Sequence, residues 1–234
     1  YTLSLHDALP ICPNIADWPE MIPLGKNVLI KAVSVLEDPV TTTDELIPSG
    51  ETSSYRSNPL KLAEFALSRK DPAYVGRAKE VKAAEEARRA EGSLPEEVLK
   101  EVGPLQIKEG TIYGSCVVAV KPGDGSAREQ AASCQRVLGG IANIAKEYAT
   151  KRYRSNLINW GMLPFVADKL NFKVGDYIYI ENIDELIRNG AEEIPAKHLS
   201  GKSVKDITLR VDGLTDDEKN IILKGCLINF NAAK

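Results

Sequence analysis

The residues best suited to chemistry lie in the run Lys121-Pro122-Gly123-Asp124-Gly125-Ser126-Ala127-Arg128-Glu129. A strand that passes through a glycine-rich turn into a helix brings free backbone N–H groups and the positive end of the helix dipole to one spot, which suits a carboxylate or phosphate. Arg128 falls in what would be the helix's first turn, where a permanent cation opposes the dipole and so adds nothing to helix stability. Its planar donors match a carboxylate in bidentate fashion. Ser126 lies beside it, and a serine hydroxyl, a poor base in water, needs nearby N–H donors to hold its alkoxide. On the residues alone the same run reads more readily as a plain helix cap. Ser126 with Glu129 spells the Ser-x-x-Glu capping box, opening a helix that Gly139-Gly140 ends.

Other elements must position this turn. Thr111 to Val120 (TIYGSCVVAV) is a strong strand feeding it, and Asn27 to Leu36 (NVLIKAVSVL) is nearly all apolar, as a strand covered on both faces should be. Pro122 and two glycines make Lys121 to Gly125 a poor continuation of the strand. Val40 to Pro59 is polar and turn-rich and reads as a surface loop. From about residue 60 to 102 Ala, Glu, Lys and Arg dominate, the pattern of a charged helical insertion with a solvated face. Downstream, Ile141–Ala145, Met162–Ala167, Val174–Ile180 and Ile207–Val211 read as strands and Ala149–Trp160 as an amphipathic helix. Thr215-Asp216-Asp217-Glu218 is a second capping box, opening a final helix with Ile222 and Cys226 on one face. Alternating strands and helices predict an α/β domain.

The net charge of −3 supplies no basic field for a phosphate backbone, which argues against nucleic acid as a partner. No apolar run is long enough for a membrane helix. Cys12, Cys116, Cys134 and Cys226 form no Cys-x-x-Cys pair and read as reduced core thiols of a cytoplasmic protein, while His6 and His198 lack a second ligand at metal-binding spacing. Tyr1 to Ile11 (YTLSLHDALPI) reads as a translated sequencing adapter, and residues 12–26 as a linker from upstream domains.

The run Gly123 to Ala132 (GDGSAREQAA), followed by Arg136-Val137-Leu138-Gly139-Gly140, resembles the GEGSSREHAA and RHLGG signature of the aconitase superfamily's swivelling domain. Asn156 to Phe165 (NLINWGMLPF) is similar to its N-L-x-x-x-G-L-L-P-L segment, and Thr42-Thr43-Asp44 with Tyr55-Arg56 resembles its T-T-D-H-I-S loop and the arginine beyond. The resemblance implies a swivelling β/β/α domain over residues 27–234, the charged helical insertion being its least alignable part. It also implies a lyase activity, the dehydration and rehydration of a hydroxy-polycarboxylic acid. Ser126 then matches the base, Arg56 and Arg128 the ligands of the substrate carboxylates, and Asp44 a polar residue of the site. The family's [4Fe–4S] cluster is held by cysteines of preceding domains, so those cluster-bearing domains are the implied partner and this chain alone is expected to be inactive. Ala127, Gln130 and Glu45 depart from the family's serine and two histidines. The chain reads as the C-terminal domain of an aconitase-like hydratase. The alternatives are a separate small subunit, like that of isopropylmalate dehydratase, or a non-catalytic carboxylate-binding module.

Overall fold

The computed structural model describes residues 14–232, so the adapter-like segment with His6, and Cys12, lie outside the described residues. Strand β1 (Asn27–Leu36) is buried along nearly its whole length; the two-residue period of a strand sends Val28, Ile30 and Ala32 into one core and Leu29 and Val33 into another, and a register shift after Ala32 lets Leu36 join the second. The first core fills a closed seven-stranded barrel. In it β1 runs parallel to β3 (Thr111–Ala119), β3 to β5 (Gly140–Ala145) and β5 to β6 (Leu163–Val166). Antiparallel β7 (Tyr177–Ile180), β8 (Glu193–Ser200) and β9 (Ser203–Arg210) close it from β6 back to β1. Ile30, Val118, Ile144, Phe165, Ile178 and Leu209 fill the interior. Burying each contributes roughly 1.5–3 kcal/mol. The α/β class expected from the sequence is the class observed.

The second core lies between the barrel and its helices. Helix α3 (Tyr74–Glu91) buries Tyr74, Ala78, Val81 and Glu85, residues spaced to share one face, and turns its charges outward. Glu85 is the exception that fastens it: buried, it accepts both Arg88 Nε at 2.6 Å and the β3 amide of Tyr113 at 2.9 Å. Helix α4 (Glu96–Val102) is tied to the barrel through Glu101, which meets the Tyr177 hydroxyl and Lys31.

Residues 14–26 form neither helix nor strand yet are held along their length. The Leu24 amide donates to Leu223 O at 3.1 Å, and Asn229 Nδ2 donates to Met21 O at 2.9 Å. Arg136 is the main fastener. Its guanidinium donates to Ile22 O at 2.7 Å and to Gly140 O and Gly225 O at 3.3 Å, with no carboxylate beside it. Burial pulls it down to about 10, so it remains a cation at neutral pH. Arg136→Met keeps the aliphatic stem but strands three carbonyls, for an expected loss of about 2–3 kcal/mol. Hydrogen exchange should then accelerate at Leu24; unchanged protection there would refute this role.

Four local readings are corrected. Val40–Pro59 is no simple surface loop: β2 (Thr41–Thr42) and α1 (Thr43–Leu46) lie within it, and Thr41, Thr43, Leu46, Ile47 and Thr52 are buried. The stretch after β3 does continue as a strand, β4 (Pro122–Asp124), parallel to β2, with Pro122 at the first position, where a missing donor is tolerated. Strand β8 was masked by Pro195 and by exposed polar residues alternating with buried Ile194 and Ala196. Finally, α8 (Asp216–Lys224) ends at Gly225, whose φ of 91° turns the chain, so Cys226 lies beyond it.

Candidate functional site

Parallel neighbours deliver their following loops to the same edge of a sheet. Because β1 and β3 are paired up to Leu36 and Ala119, the segments after them emerge side by side and pair again as β2 and β4. This sets Thr42 opposite Asp124, and the Thr43 side chain lies directly against Gly125. The Thr-Thr-Asp motif and the glycine-rich turn are thus one structure, although 81 residues separate Thr43 from Asp124 in sequence.

The turn differs from its expected form. Helix α5 spans Arg128–Val137, Ala127 stands at its N-cap, and no side chain caps it. Ser126 is therefore not a capping residue, because the β2–β4 pairing and the positive φ of Gly125, 130°, carry the chain one residue further before the helix begins. Glu129, released from the box, accepts Trp160 Nε1 at 3.1 Å. The second box is formed as expected: Thr215 Oγ1 accepts the Glu218 amide at 3.2 Å. A third, at Thr42 and Glu45, went unread although Thr-x-x-Glu was its signal. Glu45 accepts the Thr42 amide at 2.7 Å, and this bond first, with the Thr42 hydroxyl and Lys70, holds its carboxyl below the usual range. It is an anion fixed in structure, and no proton donor in place of the family's histidine.

Arg128 is half-buried at the first position of α5, and its Nε is enclosed without any hydrogen-bond partner. The Thr41 hydroxyl in the adjoining strand is likewise buried and unpartnered. Enclosed polar atoms without partners are costly, about 1–3 kcal/mol each, so an unpartnered Nε at the start of α5 is a donor the fold leaves free for something else. Ser126 is exposed. Arg56 is exposed just after the 3₁₀ turn Ser53–Tyr55, ahead of α2 (Pro59–Ala63), which packs on α5. Asp44 is engaged by Arg69 at 2.8 Å and by the Ser49 amide at 3.3 Å. No hydrogen bond or ion pair joins any two of Ser126, Arg128, Arg56 and Asp44; what the fold brings together is their supporting segments. Arg69, which also holds Glu51 at 2.6 Å, carried no sequence signal.

The described residues do not fit an iron–sulfur cluster. Cys116, Cys134 and Cys226 are all buried, burial raises the Cys116 and Cys134 thiols far above their ordinary range, and no group of three metal-ligating side chains converges. Among the described residues no helix is long and apolar enough to cross a membrane.

Comparison with known proteins gives a consistent result. Residues 80–170, which include the glycine-rich turn and the Asn156–Phe165 segment, match the family described as the aconitase C-terminal domain. A protein of Emericella nidulans named as a mitochondrial aconitate hydratase is 33% identical over 112 residues, 46% of this chain and 14% of that protein. The methanogen homoaconitase small subunit of Methanocaldococcus jannaschii is 32% identical over 127 residues, 54% of this chain and 65% of the subunit. The matches thus span less than two thirds of these curated relatives. Among solved structures, a 3-isopropylmalate dehydratase of the same archaeon is similar with a TM-score of 0.50 and 25% identity, over 90% of this chain and 95% of that one.

Proposed function

Because the chain carries a C-terminal domain of the aconitase superfamily, we propose that it is the acid-binding part of a hydro-lyase whose reacting centre is completed by a second, cluster-bearing domain or subunit. The observation that carries this reading is Arg128: a half-buried guanidinium with an unpartnered Nε, at the edge where the loops after β1 and β3 meet. A substrate carboxylate on Arg128 and a second on Arg56 would fix a hydroxy-polycarboxylic acid over the turn. Ser126 Oγ, as an alkoxide held by the N–H donors of the turn, would then take the proton from the carbon beside a carboxylate and become the hydroxyl; the guanidinium groups would stabilise the charge that spreads onto that carboxylate, and the departing substrate hydroxyl would go to the Lewis acid that the completing partner would supply. Asp44, one residue after Thr43, works through Arg69 and the Ser49 amide as a holder of its loop. The [4Fe–4S] cluster of the superfamily is assigned to the completing partner, since nothing among the described residues suits it.

Purified alone, the chain is expected to show no hydration of aconitate or of isopropylmaleate. Combined with a cluster-loaded large subunit of the superfamily it should turn over, and Ser126→Ala should remove that turnover while leaving assembly intact. Turnover by the chain alone, or an assembled Ser126→Ala protein at full rate, would overturn the reading. A separate small subunit is the second reading, favoured by the likeness covering 95% of the archaeal dehydratase chain against 14% of the fungal protein. Stable co-purification with a large subunit encoded apart supports it. A domain of one long chain should instead assemble only when covalently joined.

A further inference from the structure

Away from the paired turns, the segment between β6 and β7 folds over the β8–β9 hairpin and encloses a cavity of about 390 Å³. Its lining includes Asp168, Lys169, Phe172, His198, Lys205 and Thr208. The His198 side chain is only 9% exposed, and its Nε2 lies 2.8 Å from Asp176 Oδ2. A carboxylate can only accept, so the ring donates through Nε2 and directs its other nitrogen elsewhere. Asp176 is itself fixed, accepting the Lys173 amide at 2.9 Å, and Phe172 packs on the imidazole with ring centroids 4.8 Å apart. Nδ1 makes no hydrogen bond to any described residue and is not among the fully enclosed atoms, and His198 is one of the residues that line the cavity.

The charges around it are unequal. Asp168 is neutralised by Arg210 at 3.1 Å, and Asp176 by the imidazole once protonated. Lys169 and Lys205 have no ion pair among the described residues, and Lys205 is the direct cross-strand partner of His198. Two lysines without ion pairs that line the same cavity as an oriented, nearly buried imidazole give it an excess of positive charge, suited to an anion.

We propose that this cavity binds a small oxyanion, a phosphate or a carboxylic acid, through His198 Nδ1–H, Lys205 and Lys169, with Asp176 as the positioning residue that holds the ring. A bound anion favours the imidazolium over the neutral ring, so binding takes up a proton and strengthens as the pH falls. Asp168, Asp176, Lys169, Lys205 and, through Asp168, Arg210 are the charged groups that bear on this equilibrium.

The test is a titration of the purified full chain with inorganic phosphate and, separately, with succinate, following the His198 ring nitrogens by NMR at constant ionic strength set with chloride. A saturable shift is expected, tighter at the lower of two pH values and weakened about tenfold or more by Lys205→Gln, an exposed position whose substitution leaves the barrel intact. Tighter phosphate binding identifies a phosphate-bearing ligand; tighter succinate binding identifies an organic acid. A ring that responds to neither, responds equally to added chloride, or binds within twofold of wild type in Lys205→Gln refutes the site.

Discussion

Arg128→Ala, in the chain assembled with the proposed cluster-bearing partner, is expected to lower kcat/KM by about 10³-fold while leaving the domain at least as stable in urea. Both halves follow from one placement. At the first position of α5 the guanidinium opposes the helix dipole, at roughly 0.3–1 kcal/mol, and its enclosed Nε lacks a partner, at roughly 1–3 kcal/mol more. It makes no ion pair or hydrogen bond among the described residues that would offset those terms, so truncation relieves the free domain. On the proposed reading the same donors become favourable only when a carboxylate arrives, and most so when charge builds on that carboxylate as the neighbouring carbon loses its proton. Arg128→Lys keeps the charge but loses the paired donors, and should fall between, near 10²-fold down. Arg56, which is exposed, should show its loss mainly in KM. An Arg128→Ala enzyme within threefold of wild type, or one that melts earlier, would remove the residue from the site.

What the sequence made legible was local. The apolar runs of β1 and β3, the cap at Thr215 and the strand–turn–helix unit are written in neighbouring residues, and the structure keeps them. The misplaced cap at Ser126 shows where such reading stops, since the residues that delay α5 are Thr41 and Thr42, far upstream, pairing with Pro122 and Asp124. Barrel closure was equally out of reach, resting on Val28 meeting Ile180 across most of the chain. The anchoring of residues 14–26 left no pattern because it runs through main-chain carbonyls held by Arg136 and Asn229, and carbonyls have no sequence signature. For the site, the motif residues were readable and their grouping was not. Asp44 had to be seen beside Arg69 before its carboxylate proved to be engaged already.

The two glycines of the turn should separate fold from function when each is changed to alanine. Gly123 has a φ of 96°, and a methyl added there would fall inside the ring of Tyr153. That ring cannot give way: Tyr153 is fully buried, and its hydroxyl is held by Gln135 Nε2 at 3.0 Å and Asn143 Oδ1 at 3.2 Å. Gly123→Ala combines overpacking with a left-handed backbone, for an expected loss of about 3–5 kcal/mol in urea unfolding. At Gly125, φ 130°, the methyl meets instead the hydroxyl tip of Thr43, on the segment that leads to Asp44. There the clash is with one hydroxyl oxygen and not with a whole ring, so a smaller adjustment relieves it; Gly125→Ala should cost about 1–3 kcal/mol and weaken acid binding more than its stability loss implies. The order of the two variants therefore reverses between an unfolding curve and a substrate titration. Should Gly123→Ala unfold within about 1 kcal/mol of wild type, the close approach of β4 to α6 (Lys151–Asn159), and with it the fixed shape of the turn that presents Arg128, is not there.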